Sequence, residues 1–111
     1  METKPQTAID IIKSLETRFI TSKAPEIEIV YHFELEGENG GNFTVIVTET
    51  TCKISEGLNG TPKCVIKAKA SDYEDLELGR SNPQMALMMG KIKVSNIGSM
   101  LKFIEMFEKL H

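Results

Sequence analysis

The chain has 111 residues, of which 41% are hydrophobic and 26% charged, and this balance excludes a disordered or fibrous protein. With 13 Lys and Arg residues against 16 Asp and Glu residues, the formal net charge is −3, which argues against nucleic acid as a partner. At this length we expect one domain spanning residues 1–111, able to bury roughly two-thirds of the surface of the unfolded chain.

The amino terminus gives no sign of export. Its opening residues, METKPQTAID, lack the apolar stretch and the small-residue cleavage site of a secretory signal peptide. The two cysteines, Cys52 and Cys64, are too few for a disulfide framework, and free thiols suit a reducing compartment. We therefore predict a cytoplasmic protein.

The first half of the chain predicts a helix followed by a hairpin. Apolar residues at helical spacing indicate a helix over about 7–21, with Thr7 as its N-cap. Over residues 26–36 apolar and polar residues alternate, which indicates a strand with one buried and one exposed face. The glycine-rich turn at 37–41 leads into a return strand that continues the alternation through 43–47.

Two further strands are predicted over 52–55 and 63–70. The outward-facing lysines of the fourth strand and of a later strand are Lys63, Lys67, Lys69, Lys91 and Lys93. Such lysines can form a basic face for anionic lipid headgroups. We favour the simpler interpretation, a solvated sheet face on which the lysines oppose the glutamates of the first strand.

Helix signals resume after the fourth strand. Ser71, followed by Glu74, predicts a capping box for a short acidic helix that ends at Gly79. Asn82 as N-cap, with Pro83 at the first helical position, begins a second short helix.

A short strand at 91–95 and a closing helix over 97–110 end the chain. The closing helix is apolar around most of its circumference, so it needs cover on more than one side. Strands that precede most of the helices, rather than alternating with them, indicate an α+β fold with one sheet and helices on one face.

The sequence offers little for catalysis or metal binding. Cys52 and Cys64 follow the buried phase of their strands, where a free cysteine behaves as a small hydrophobe. His32 falls on the polar phase of its strand, so we expect it to be exposed. Because neither a nucleophile–base pair nor a set of metal ligands can be recognised, we predict a non-enzymatic protein with no cofactor and no metal.

A set of motifs in the C-terminal half is more specific than any one of them alone. They begin with Cys64-Val65-Ile66-Lys67, followed by segment 71–76 and Gly79. Next come Asn82-Pro83-Gln84-Met85-Ala86 and, directly after it, segment 87–94; segment 100–103 is the last. In this order and spacing they resemble the sterol carrier protein type 2 family.

The resemblance implies a five-stranded, largely antiparallel sheet with helices packed on one face. It also implies an apolar cavity between sheet and helices that binds and transfers lipids, such as sterols, fatty acids or their coenzyme A esters. As partners we expect such a lipid and a membrane surface, in transient contact. The candidate lining residues are Phe33, Val45, Val47, Met85, Met88, Met89, Met100 and Ile104.

Two other interpretations stay open. The methionines at helical spacing can simply fill the core against the sheet. The closing helix can instead form an external interaction or dimerisation patch, made of Phe103, Met106, Phe107 and Leu110. The oligomeric state is therefore open, with a homodimer as one arrangement.

Size constrains the predicted cavity. An empty cavity of ~300 Å³ would cost roughly 7 kcal/mol at about 24 cal/mol per Å³. The total stability of a domain of this size is only about 5–15 kcal/mol. We therefore expect either a ligand that fills the cavity or a lining that collapses when the ligand leaves.

Overall fold

Five strands and four α-helices make up the part of the chain that the computed structural model describes, residues 7–38 and 40–109. The strands are β1 (Ile29–Glu36), β2 (Gly41–Val47), β3 (Cys52–Glu56), β4 (Cys64–Lys69) and β5 (Ile92–Val94). The helices are α1 (Ala8–Arg18), α2 (Ala70–Glu77), α3 (Pro83–Met88) and α4 (Ile97–Glu105), with a short 3-10 turn at Thr21–Lys23.

The strands form one sheet in the order β3-β2-β1-β4-β5. All neighbouring strands are antiparallel except β1 and β4, which run parallel. The predicted α+β fold with a largely antiparallel, five-stranded sheet is thus confirmed. The register also sets Lys67 beside Glu34 and Lys69 beside Glu36, so lysines of β4 do lie beside glutamates of the first strand.

An aromatic cluster joins the sheet to the helices. The ring of Phe103 on α4 lies 4.8 Å from Tyr31 and 5.3 Å from Phe33, both on β1, measured between ring centroids. Phe103 also lies 4.6 Å from Phe107, while Phe33 contacts Tyr73 of α2 at 5.7 Å. Rings at these distances attract one another beyond the burial of their apolar surface. The cluster is therefore the centre of the core.

The opposite face of the sheet is partly covered by the connection between β3 and β4. Those strands lie on opposite sides of the β2–β1 pair, so the chain must cross over it. The Thr44 hydroxyl donates to the Gly57 carbonyl at 2.7 Å, and His32 Nε2 lies 2.8 Å from the Asn59 carbonyl. His32 is consequently buried, and the expectation that it is exposed was wrong.

The helix starts differ in part from the predicted ones. Thr7 caps α1 as predicted, and the Asn82 side chain accepts from backbone N–H groups of the first turn of α3. The capping box was wrong, because α2 begins at Ala70, which puts Ser71 inside the helix. The Glu74 carboxylate instead accepts the Ala8 N–H of α1 at 2.8 Å.

The closing helix ends earlier than predicted, at Glu105. Beyond it, Phe107 forms an antiparallel bridge with Phe19. The Ile20 N–H donates to the Met106 carbonyl at 2.8 Å. These bonds to the segment after α1 satisfy the backbone groups that a longer helix would have used.

Removal of the Glu74 carboxylate should destabilise the start of α1. Glu74→Ala leaves the Ala8 N–H without this acceptor, and we expect a loss of about 1 kcal/mol in the free energy of unfolding, the usual cost of losing a helix cap. Glu74→Gln is the matched control, since its amide oxygen can still accept the bond. Urea denaturation followed by circular dichroism measures both variants. Wild-type stability in Glu74→Ala would show that this bond contributes nothing.

Candidate functional site

A cleft of about 450 Å³ opens between the helices. It is bounded by α1, by the connection from α2 to α3, and by α4 with the segment that follows it. The residues that form its apolar wall are Leu15, Leu76, Pro83, Phe103, Ile104 and Phe107. This volume lies in the range of roughly 300–1,000 Å³ that is typical of small-molecule sites.

The rim of the cleft is polar and partly open to solvent. The polar and charged lining residues are Arg18, Glu77, Arg80, Ser81, Asn82, Glu108 and Lys109. Arg80, Asn82, Glu108 and Lys109 are exposed. An apolar wall next to a charged, solvated mouth suits a ligand that is apolar along its length and polar at one end.

Arg18 connects three parts of the wall. Its Nη2 lies 3.0 Å from Glu77 Oε2 on α2, its Nη1 donates to the Glu108 carbonyl at 2.9 Å, and its Nε donates to Ser14 Oγ at 2.9 Å. The side chains of Arg18 and Glu77 are only 11% and 20% exposed. The fork of N–H donors on a guanidinium suits it to hold several acceptors at once. Arg18 therefore fixes the positions of α1, α2 and the chain after α4.

Tyr73 of α2 lies close to Arg18 and Glu77, and its hydroxyl oxygen is buried. That hydroxyl makes no hydrogen bond of normal geometry to any residue in the described part of the chain. Burial raises the pKa of Tyr73 well above 10.0, and the nearby Glu77 carboxylate raises it further, while Arg18 acts in the opposite direction. Tyr73 is therefore a neutral phenol, a potential hydrogen-bond donor beside the wall of the cleft.

The structure divides the eight residues predicted to line a cavity into three groups. Ile104 lines the cleft. Four residues pack inside the core, and these are Phe33, Val45, Val47 and Met100. Three lie on the surface with 53%, 82% and 63% of their area exposed, and these are Met85, Met88 and Met89. The eight residues are thus not brought together around one cavity.

The short helix α3 explains the exposure of the methionines. It packs on the core through Ala86, which is buried, and Leu87, which is partly buried. Because nearly every position of α3 is apolar, the pattern did not reveal which face turns inward. Leu15, Arg18 and Leu76 were missed as site residues because the cleft depends on how three helices meet.

The alternative prediction of an external apolar patch on the closing helix was wrong for the residues that are described. Phe103, Met106 and Phe107 are 5%, 2% and 6% exposed, because the chain turns inward after α4 and packs on Phe19. Residue 110, the fourth member of that patch, lies outside the described residues.

Both cysteines are free and buried. Burial, together with the Glu16 carboxylate, raises the pKa of Cys52 to about 12, and burial also raises that of Cys64. A thiol that stays protonated at neutral pH is a poor nucleophile. Within residues 7–38 and 40–109, no cluster of His, Cys, Asp or Glu side chains suits a metal ion, and no helix has the length and apolarity needed to cross a bilayer.

The model of the SCP-2 sterol transfer family matches residues 16–108. The chain belongs to this family. Its membership supports lipid binding and transfer as the general role of the chain. Among curated relatives, hydroxysteroid dehydrogenase-like protein 2 of Mus musculus is 29% identical over 86 residues. That match covers 76% of this chain but only 18% of the mouse protein.

Solved structures of low sequence identity share the fold. The sec-alkylsulfatase Pisa1 from Pseudomonas sp. superimposes with a TM-score of 0.78 at 13% identity, covering 91% of this chain and 16% of that one. Palmitated SCP2L2 from Aedes aegypti gives a TM-score of 0.67 at 18% identity, covering 98% of this chain and 100% of that one.

Loss of Arg18 should weaken the fold around the cleft. Arg18→Met keeps the length of the side chain but leaves Glu77 as a largely buried charge without this partner. We expect a loss of about 3 kcal/mol in the free energy of unfolding. The double variant Arg18→Met/Glu77→Leu removes both charges and should recover the part of the loss that comes from the unpaired Glu77, but not the part from the lost bonds to Ser14 and the Glu108 carbonyl. If urea denaturation shows equal destabilisation of both variants, the ion pair is not the cause.

The buried thiol of Cys52 should make the folded protein less stable at alkaline pH. The pKa of this thiol is about 12 in the folded state and 9.0 ordinarily. As the pH rises above 9.0, the thiol ionises in the unfolded chain but not in the folded one, so the free energy of unfolding falls. The loss should be about 1.4 kcal/mol per pH unit. Denaturation between about pH 9 and about pH 11 should show a smaller slope for Cys52→Ala than for wild type. Identical slopes would exclude this linkage.

Proposed function

We propose that residues 1–111 act as one domain that binds and transfers a lipid with a single acyl chain, such as a fatty acid or its coenzyme A ester, in the cleft between the helices. The observation that carries the proposal is the cleft of about 450 Å³, with its apolar wall and charged mouth. The palmitated form of the Aedes aegypti neighbour supports an acyl chain as the ligand, and the sterol for which the family is named is the alternative.

The wall of the cleft supports an extended apolar ligand. Phe103, Ile104 and Phe107 line one side, and Leu15 and Leu76 contribute from α1 and α2. Because the cleft is open to solvent, it holds water when no ligand is bound and avoids the cost of about 24 cal/mol per Å³ that a dry cavity carries. Displacement of that water from apolar surface then favours the acyl chain.

Rotation of the Phe103 side chain would deepen the cleft. Its ring separates the cleft from Phe33, at 5.3 Å between centroids, and Met100 lies one turn earlier on the same helix. In the rotated position, the ring would no longer separate the cleft from Phe33 and Met100. Met100 is unbranched and can adapt its shape to a ligand. In this proposal Phe33 and Met100 form a second layer, reached only by a bound lipid.

Arg80 supports an anionic headgroup at the mouth. Its side chain is 57% exposed and pairs with the exposed Asp75 at 3.4 Å, an interaction that contributes little in water. Arg18, by contrast, is held by Glu77 and by the Glu108 carbonyl. A carboxylate or phosphate at the mouth would therefore meet Arg80, whose planar guanidinium can bind it through two hydrogen bonds.

We propose that the chain itself performs no reaction. Its family is one of lipid-binding domains that are generally non-catalytic. The mouse relative is named for a dehydrogenase, but this chain spans only 18% of that protein. The free thiols of Cys52 and Cys64 support a cytoplasmic location, where cysteines stay reduced.

Filling the cleft should block ligand binding without unfolding the protein. Ile104→Trp puts an indole into the cleft, and we expect its affinity for a fluorescent fatty acid to fall by about ten-fold or more. Leu101→Trp is the matched control, because Leu101 is exposed on the same helix. Met88→Trp is a second control, on exposed α3, and should bind as wild type does. Fluorescence titration measures affinity, and urea denaturation checks that all three variants fold.

Two results would contradict the proposal. One is the absence of fatty acid binding by the wild type at micromolar concentration, with no lipid found by organic extraction and mass spectrometry. The other is equal loss of affinity in Ile104→Trp and Leu101→Trp, which would locate the ligand elsewhere.

A further inference from the structure

Three methionines form an exposed face on α3 that the cleft does not use. Met85, Met88 and Met89 are spaced by three and four residues, so they share one side of the helix. They are 53%, 82% and 63% exposed, while Ala86 on the other side is buried. We call these three residues the methionine face. Exposed apolar side chains that cluster on one surface mark a site of contact with a partner.

Four lysines lie near one end of the methionine face, at Met89. Met89 lines a shallow depression together with Lys67, Lys69, Lys91 and Lys93, and the acidic members of this lining are Glu36 and Asp72. We call the four lysines the lysine rim. The depression thus has more cations than anions, in a chain whose net charge is −3.

The arrangement of the lysine rim is not explained by the sheet alone. Lys67 and Lys93 are direct register partners on β4 and β5, and like charges in that position destabilise a sheet. Neither ion pair in the described part of the chain includes a lysine of the rim. Glu34 and Glu36 of β1 lie beside Lys67 and Lys69 and offset part of their charge, whereas β5, which carries Lys93 and follows Lys91, pairs with β4 alone. The positive charge available to an external anion is therefore mainly that of Lys91 and Lys93.

We propose that the methionine face and the lysine rim dock the protein on the surface of an anionic lipid bilayer. Flexible, unbranched methionine side chains can enter the boundary between headgroups and acyl chains. Lysines beside them attract the negative headgroups of the leaflet. Either contact alone binds weakly, whereas an apolar and a polybasic contact together give useful but reversible attachment.

The position of α3 connects this surface to the cleft. Asn82 and Pro83, at the start of α3, line the cleft, while the methionine face lies on the exposed side of the same helix. A protein that rests on the bilayer through α3 therefore holds its cleft next to the source of lipid. The docking surface does not depend on the identity of the ligand, so the two proposals can fail separately.

Vesicle co-sedimentation tests the docking surface. The full chain is mixed with vesicles of phosphatidylcholine alone or with added phosphatidylserine, at low and high salt. We expect binding only to the anionic vesicles, and weaker binding at high salt. The triple variant Met85→Ser/Met88→Ser/Met89→Ser and the double variant Lys91→Glu/Lys93→Glu should each bind about ten-fold or more weakly, since each lysine contributes roughly five-fold.

The control variant is Ile27→Ser/Lys53→Glu, which also removes apolar surface and positive charge. Both residues are exposed and lie towards the other end of the sheet. Ile27 precedes β1, and Lys53 is aligned through Ile46 with Val30, roughly 20 Å along β1 from Glu36. This control variant should bind anionic vesicles much as the wild type does. Fatty acid titration without vesicles should give the same affinity for wild type and for both docking variants, which keeps this test separate from the cleft.

Three outcomes would overturn the docking proposal. Wild-type protein that does not bind anionic vesicles refutes it, as does equal weakening by the control and the docking variants. A concentration-dependent dimer in sedimentation analysis, lost in the methionine variant, would instead make this surface an interface between two copies of the chain.

Discussion

The packing of the Phe103 ring on Tyr31 and Phe33 is the contact on which the rest of the structure depends. One side of this ring holds α4 on the sheet, and the residue also forms part of the wall of the cleft. Tyr31 fixes the same helix through its hydrogen bond to the Ser99 carbonyl. The core and the cleft therefore share one side chain, so any deepening of the cleft must draw on the stability of the core.

Local patterns identified each strand of the described sheet because alternation of buried and exposed positions is a property of a single segment. The errors concern contacts between distant segments. His32 is buried by the connection between β3 and β4, and Glu74 caps a helix 66 residues away in the sequence. The closing helix stops at Glu105 because Phe107 pairs with Phe19. None of these partners can be inferred from the period of one element.

The site was less predictable than the fold. Resemblance to a family indicated an apolar site, and Ile104 does line the cleft. The direction in which α3 faces could not be inferred, because nearly every position of this short helix is apolar, and it turns Ala86 and Leu87 towards the core while its methionines stay exposed. Arg18 was not predicted because its acceptors, Glu77 and Glu108, come from two other regions of the chain.

The bond from Arg18 to the Glu108 carbonyl joins residues 90 positions apart, so the wall of the cleft is complete only when the segment after α4 has been synthesised. All five strands and helix α1 are synthesised before Phe103, Phe107 and Glu108, the residues that pack on β1 and bond to the end of α1. The wall of the cleft includes Phe107, Glu108 and Lys109. A translation product that ends before residue 107 therefore lacks part of the wall that, in the proposed function, would hold a lipid.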